Sequence, residues 1–150
     1  MGVGRTGMFQ RVLVAIDTSP LAGEVLDAAA EVALKFGAEV LVAHIREVEL
    51  PMSMARASGI PRPPRLESEP VAGRLAKDAV ERLKAAGITA RSEIGPGSGA
   101  TARDILAVAA IYRPDLIVIG RHGSHVTELL LGTVAHKIVH LAPCPVLVIR

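Results

Sequence analysis

The stretch Asp115–Thr133, DLIVIGRHGSHVTELLLGT, opens on four consecutive apolar residues, Leu116-Ile117-Val118-Ile119. A run with no polar alternation suits a strand buried on both faces, as in a parallel sheet covered by helices. The run stops at Gly120; Gly123 and Gly132 follow, and Thr133 stands directly after the last glycine. Beyond it, VAHKIVHL has helical spacing, with Val134, Ile138 and Leu141 on one stripe. A buried strand thus runs into a glycine-punctuated loop, and Gly132-Thr133 opens a helix. Glycines let a backbone approach a ligand closely, and the free N–H groups of a helix start attract anions. Turn glycines and a capping Thr133 would explain the residues without a ligand. The position favours a phosphate cradle, because the loop leaves the C-terminal end of a central strand, where open α/β sheets bind ligands.

Outward from this stretch the same rhythm recurs. Arg11–Ile16 (RVLVAI) is a second fully apolar run, ending at Asp17-Thr18-Ser19-Pro20. Ser19 as N-cap and Pro20 at the first helical position predict a helix to about Phe36, with Leu21, Val25, Ala28, Ala29, Val32 and Phe36 inward and Gly37 as its left-handed stop. Ala38–Ile45 is the next strand, and the three elements make a right-handed βαβ unit. Residues 47–69, with Pro51, Pro61, Pro63 and Pro64, read as a long irregular connection, a surface loop or a lid over a site. A helix over Val71–Ala86 follows, with Val71, Leu75, Ala79 and Leu83 inward and Gly87 as its stop, then a half-alternating edge strand at Ile88–Ile94. Ala100–Tyr112 is the helix before the central strand, and Pro145–Ile149 the last strand. Five strands alternating with four helices predict one α/β domain with a parallel sheet, residues 9–150, behind a flexible leader, 1–8.

Composition narrows the function. The chain has 150 residues, half of them hydrophobic, with one Tyr and no Trp. That poverty of aromatics argues against base-stacking platforms for single-stranded nucleic acid. A net charge of +2 is too small for a phosphate-tracking surface. No apolar run approaches the ~20 residues of a spanning helix, and the myristoylation-like Met1-Gly2…Thr6 lacks polybasic support, so no membrane partner is expected. A single cysteine, Cys144, fits a reducing cytoplasm and reads as a small buried hydrophobe.

Asp17, at the end of the first strand, reaches the cradle's edge of the sheet if the first and fourth strands are neighbours. The strand order then reverses between them, and a carboxylate there can accept from ribose hydroxyls or an adenine amino group. Gly97-Ser98-Gly99-Ala100-Thr101-Ala102 matches the dinucleotide fingerprint, yet the residue ending the next strand is Ile119 rather than an acid, so it reads as a turn. His122-x2-His125 and His136-x3-His140 suggest a metal, but no cysteine or carboxylate completes a ligand set, and no metal is assigned. No catalytic set can be proposed from spacing.

Taken together, RVLVAID at residues 11–17, Gly-x2-Gly…Gly-Thr before the last helix, and PCPVLVIR at residues 143–150 resemble the universal stress protein family. The resemblance covers nearly the whole chain. It implies a Rossmann-like five-stranded parallel sheet in the order 3-2-1-4-5 and, in the nucleotide-binding branch, ATP with or without Mg²⁺. Gly120, Gly123, Gly132 and Thr133 would hold the phosphates. Ser124 and Thr133 would add hydroxyls, Arg121 would add positive charge, and Val134 follows on the same helix start. Asp17 would meet ribose or adenine, with Ala15, Ile16 and Ile45 walling the base. Members commonly form homodimers by pairing their last strands, here Val146 to Ile149. Eight residues, Ser124–Leu131, stand where the family's motif has nine. Three readings follow: an ATP-binding stress-response module, a slow ATPase, or a dimeric interaction protein that does not bind nucleotide.

Overall fold

The computed structural model describes residues 7–49, 65–95, 97–121 and 131–150. In chain order the elements are β1 (Arg11–Ile16), α1 (Ala22–Phe36), β2 (Glu39–Ile45), β3 (Val48–Glu49), β4 (Arg65–Leu66), α2 (Glu69–Ala85), β5 (Ala90–Gly95), α3 (Thr101–Tyr112), β6 (Leu116–Gly120), α4 (Thr133–Leu141) and β7 (Val146–Ile149). The five long strands form one parallel sheet in the order β5-β2-β1-β6-β7, which is 3-2-1-4-5 when only these are numbered. The first and fourth strands are neighbours, as the ligand argument required.

Alternation along the central strands divides the core in two. Val12, Val14, Val40, Val42 and Val118 point to the face covered by α1 and α2. Leu13, Leu41, Ala43, Ile117 and Ile119 point to the face covered by α3 and α4. Apolar residues on both faces are why these strands read as unbroken runs. Asp115 ties the entry of β6 to that of β1, its carboxylate accepting the N–H groups of Gln10 at 2.8 Å and Arg11 at 3.1 Å.

Several expectations are corrected. α1 begins at Ala22 rather than Pro20, and its N-cap, Leu21, makes no side-chain cap bond. The Asp17 carboxylate accepts the Ser19 N–H at 2.9 Å and the Ser19 carbonyl accepts from Ala22 at 3.1 Å, so a turn occupies these residues. Gly37 does close α1 in a left-handed conformation, φ 67°. In α2, capped by Ser68, the buried stripe is Ala72, Ala76, Ala79 and Leu83, and Val71 is 42% exposed. Successive steps of four residues drift off a helix face, by about 120° between positions 71 and 83, whereas 72 to 83 returns to within about 20°. α4 buries Ala135 and Ile138 but leaves Val134 37% and Leu141 67% exposed. It lies over the rim of the sheet, where no layer among the described residues covers its outer side. The connection over 47–69 is not wholly irregular: β3 and β4 pair antiparallel at its ends. Its middle, residues 50–64, lies outside the described residues, and so does the surface-loop or lid question that turns on it.

The fingerprint-like glycines form a turn. Gly97 has φ 67°, and Asp104 accepts the Ser98 N–H at 3.0 Å and its hydroxyl at 2.7 Å, fastening the turn to α3. A Cβ on Gly97 would sit 2.7 Å from the Arg46 carbonyl oxygen and 2.7 Å from Leu66 Cδ1. Gly97→Ala therefore combines a left-handed backbone with a collision against β4. It is expected to lower the unfolding free energy by about 1–3 kcal/mol in denaturant titration.

Candidate functional site

The site lies at the C-terminal edge of the sheet, where the strand order reverses between β1 and β6. Val14 is level with Val118, which carries Gly120 to the height of Ile16. β6 ends at Gly120, and the chain is then fastened twice: the Arg121 N–H donates to the Ile149 carbonyl at 2.7 Å, and the Arg121 carbonyl accepts from the Gly132 N–H at 2.8 Å. The second bond brings the two ends of the glycine loop together, so Gly120 and Arg121 stand against Gly132 and Thr133. Gly123 and Ser124, together with His122 and His125, lie outside the described residues.

α4 starts without a side-chain cap and without an acid in its first turn; Gly132 is the N-cap and Thr133 the first helical residue. The first intrahelical bond runs from the His136 N–H to the Gly132 carbonyl, 2.9 Å. The N–H groups of Thr133, Val134 and Ala135 thus have no partner among the described residues, a helix start of the kind that accepts an anion. Beside it Arg121 has its Nε buried with no hydrogen-bond partner among the described residues. An unmatched buried donor is costly, and an anion would satisfy it. Gly132 has φ −61° and ψ 157°, a conformation open to any residue. Backbone strain therefore does not explain the glycine.

Of the residues expected to wall a base, Ala15 and Ile45 belong to the α3/α4 face, the side on which α4 presents its N-terminus. The side chain of Ile16 packs on the opposite face, under α1, so only its backbone reaches this edge. Asp17 is half-buried; Oδ1 holds the Ser19 N–H, and Oδ2 makes no hydrogen bond among the described residues. The last helix puts His136 and His140 side by side in solvent, rings 4.4 Å apart. No group of three or more potential metal ligands occurs among the described residues. Cys144 packs half-buried against the α3/α4 side, and burial, then the nearby Asp115 charge, pushes its thiol above the usual range. No helix among the described residues is long and apolar enough to cross a membrane.

One polar group on this edge escaped the sequence. His44, inside an apolar strand, is fully buried and bonded to Glu67, which arrives from beyond the proline-rich connection. The available signal was the histidine itself: a polar ring in a run that faces core on both sides needs a partner.

The fold is that of a doubly wound α/β protein whose strand order reverses between β1 and β6, the place where such sheets bind ligands. The sequence pattern described as "Universal stress protein family" matches residues 8–150. The chain is 33% identical over 149 residues to "Universal stress protein YxiE" of Bacillus subtilis, covering 95% of this chain and 100% of that one. It is also 33% identical over 141 residues to "Universal stress protein A homolog 1" of Coxiella burnetii, covering 94% and 96%. Among solved structures, the universal stress protein from Archaeoglobus fulgidus in complex with dAMP superposes with a TM-score of 0.66 at 25% identity, covering 95% of this chain and 99% of that one. This chain belongs to the universal stress protein family.

Proposed function

We propose that the chain is an adenine-nucleotide-binding regulatory module of the stress response, with ATP as ligand and binding rather than chemistry as its output. The observation that carries this reading is the bond from Gly132 to Arg121, which sets a helix start without a side-chain cap beside a residue whose buried guanidinium Nε has no partner among the described residues. The dAMP complex of the Archaeoglobus fulgidus relative supports the ligand class. In this reading the phosphates, with or without Mg²⁺, lie on the first turn of α4, on the Thr133 hydroxyl and Arg121, with Gly123 and Ser124 closing the cradle. The base lies against Ala15 and Ile45, the Ile16 backbone borders it, and Asp17 Oδ2 accepts from ribose or the adenine amino group. Among the described residues β7 has a neighbour on one side only, and Leu147 on it is exposed. That edge supports a homodimer through Val146 to Ile149, and the cytoplasm is the proposed compartment.

The shortened loop favours a second reading, a dimeric interaction protein of the same fold without nucleotide. A slow ATPase would need a base or a positioned water, and Asp17 stands at the same edge of the sheet as Gly120. One experiment separates these readings: gentle purification, denaturation and chromatography of what is released. A near-stoichiometric adenine nucleotide, absent from a Gly120→Val/Gly132→Val variant, is the expected result. An empty protein that also gives no heat with ATP in titration calorimetry would overturn the nucleotide reading and leave the interaction protein. Turnover in saturating ATP and Mg²⁺ would add hydrolysis.

A further inference from the structure

His44 is fully buried, with a relative exposure of 0%. Nδ1 lies 2.9 Å from the Ile16 carbonyl oxygen, an atom that can only accept, so Nδ1 carries a proton. Nε2 lies 2.7 Å from Oε2 of Glu67, whose side chain is 8% exposed. A neutral ring protonated at Nδ1 would present a lone pair at Nε2, and two lone pairs do not settle at that distance. One proton is therefore held between ring and carboxyl group. Oε2 also accepts the Glu47 N–H at 3.1 Å, which suits an ionised carboxylate facing a ring that donates from both nitrogens.

The pair joins three pieces of chain next to the proposed nucleotide site. Ile16 immediately precedes Asp17, and His44 immediately precedes Ile45, so the ring fixes the last residues of β1 and β2 relative to each other. Glu67 brings in the entry to α2, and the junction is reinforced around it. The Glu67 N–H donates to the Glu47 carbonyl at 2.8 Å, Arg46 Nε donates to the Glu67 carbonyl at 2.8 Å, and the Glu47 carboxylate accepts from the Thr18 hydroxyl at 3.1 Å. Among the described residues the other charged groups nearby are turned elsewhere: Glu47 to Thr18, Asp17 to Ser19, and Arg46 also to Glu69. Glu24, in the first turn of α1, is exposed, and the register neighbours of His44 are the uncharged Ile16 on β1 and Ile94 on β5.

We propose that His44 and Glu67 are positioning residues for the nucleotide site, and that the proton they share sets its affinity. The inference rests on the nucleotide reading above. With the proton in place, Asp17 and Ile45 are held for ribose and base. Once it leaves, a lone pair faces a carboxylate and the ends of β1 and β2 lose their common anchor. The sign follows: the pair binds a proton in the competent state, so affinity falls as pH rises.

The test is the affinity of the full chain for AMP from about pH 6 to about pH 9, by titration calorimetry, alongside the ¹⁵N spectrum of the His44 ring. Ionisation of the phosphate itself, near ~6, would strengthen binding with rising pH and so has the opposite sign. Affinity is expected to fall by about tenfold or more, at the pH where the ring loses its second N–H. Glu67→Gln offers a neutral acceptor in place of the charge, so its fall should come at lower pH. A purely structural role would weaken binding evenly and leave the midpoint in place. Binding that stays constant across this range, or a ring with one N–H throughout, overturns the inference and leaves the nucleotide reading intact. No AMP binding at any pH overturns both. If the variant does not fold, the wild-type profile and ring spectrum decide by the same criteria.

Discussion

Ile117→Ala is expected to lower the unfolding free energy by about 2–5 kcal/mol, the range for truncating a large aliphatic residue in a core that cannot collapse around the gap. Ile117 is fully buried in β6, which lies between β1 and β7. Its N–H donates to the Pro145 carbonyl at 3.0 Å, and its side chain joins the cluster formed with Ile105, Val108, Ala109 and Ile138 from α3 and α4. Neighbours on both sides and two helices above leave the strand little room to shift. Ile111→Ala removes the same atoms from a side chain that is 81% exposed and should change stability by no more than about 0.5 kcal/mol. Denaturant titration of both variants, with unchanged slopes, makes the comparison. A loss below about 1 kcal/mol for Ile117→Ala would mean that this face repacks and that β6 is not held as tightly as the core suggests.

The strands were legible for the reason that makes Ile117 costly: each central strand has core on both faces, and its apolar run has no interruption. The placement of Asp17 near Gly120 was legible too, because it needed only the reversal of strand order beside β1. Helix faces were harder. Leu75 does pack, half-buried, against the core, but hydrophobicity alone chose Val71 over the smaller Ala72 and Ala76. The sheet takes these alanines because α2 packs closely on β2 and β5. Ser19-Pro20 looked like a helix start because the Asp17 side chain, which takes the Ser19 N–H, has no sequence signature apart from its proximity. His44 and Glu67 are 23 residues apart, separated by a stretch whose composition predicts nothing regular. No local pattern could have paired them.

Gly132→Ala is expected to weaken binding of adenine nucleotides by about tenfold to a hundredfold, the equivalent of one or two charge-assisted hydrogen bonds at roughly 1.5–3 kcal/mol each less partial relaxation. The expectation rests on two features of one residue. Its dihedral angles, φ −61° and ψ 157°, suit alanine as well as glycine, so the backbone has no conformational objection to the substitution. It also caps α4, whose first turn has no side-chain cap, and in the nucleotide reading a methyl group there would stand where a phosphate must come close to the Thr133 and Val134 N–H groups. Gly97→Ala gives the contrast: its φ of 67° and the crowding by Arg46 and Leu66 put the damage into the fold rather than the ligand. Calorimetric titration with ATP and thermal melting, applied to both variants, should therefore cross over. Gly132→Ala loses affinity and keeps its melting midpoint; Gly97→Ala lowers its midpoint and, where folded, keeps affinity. Full affinity in Gly132→Ala would show that nothing approaches the start of α4 closely, and the absence of a Cβ there would then belong to chain packing and not to a phosphate.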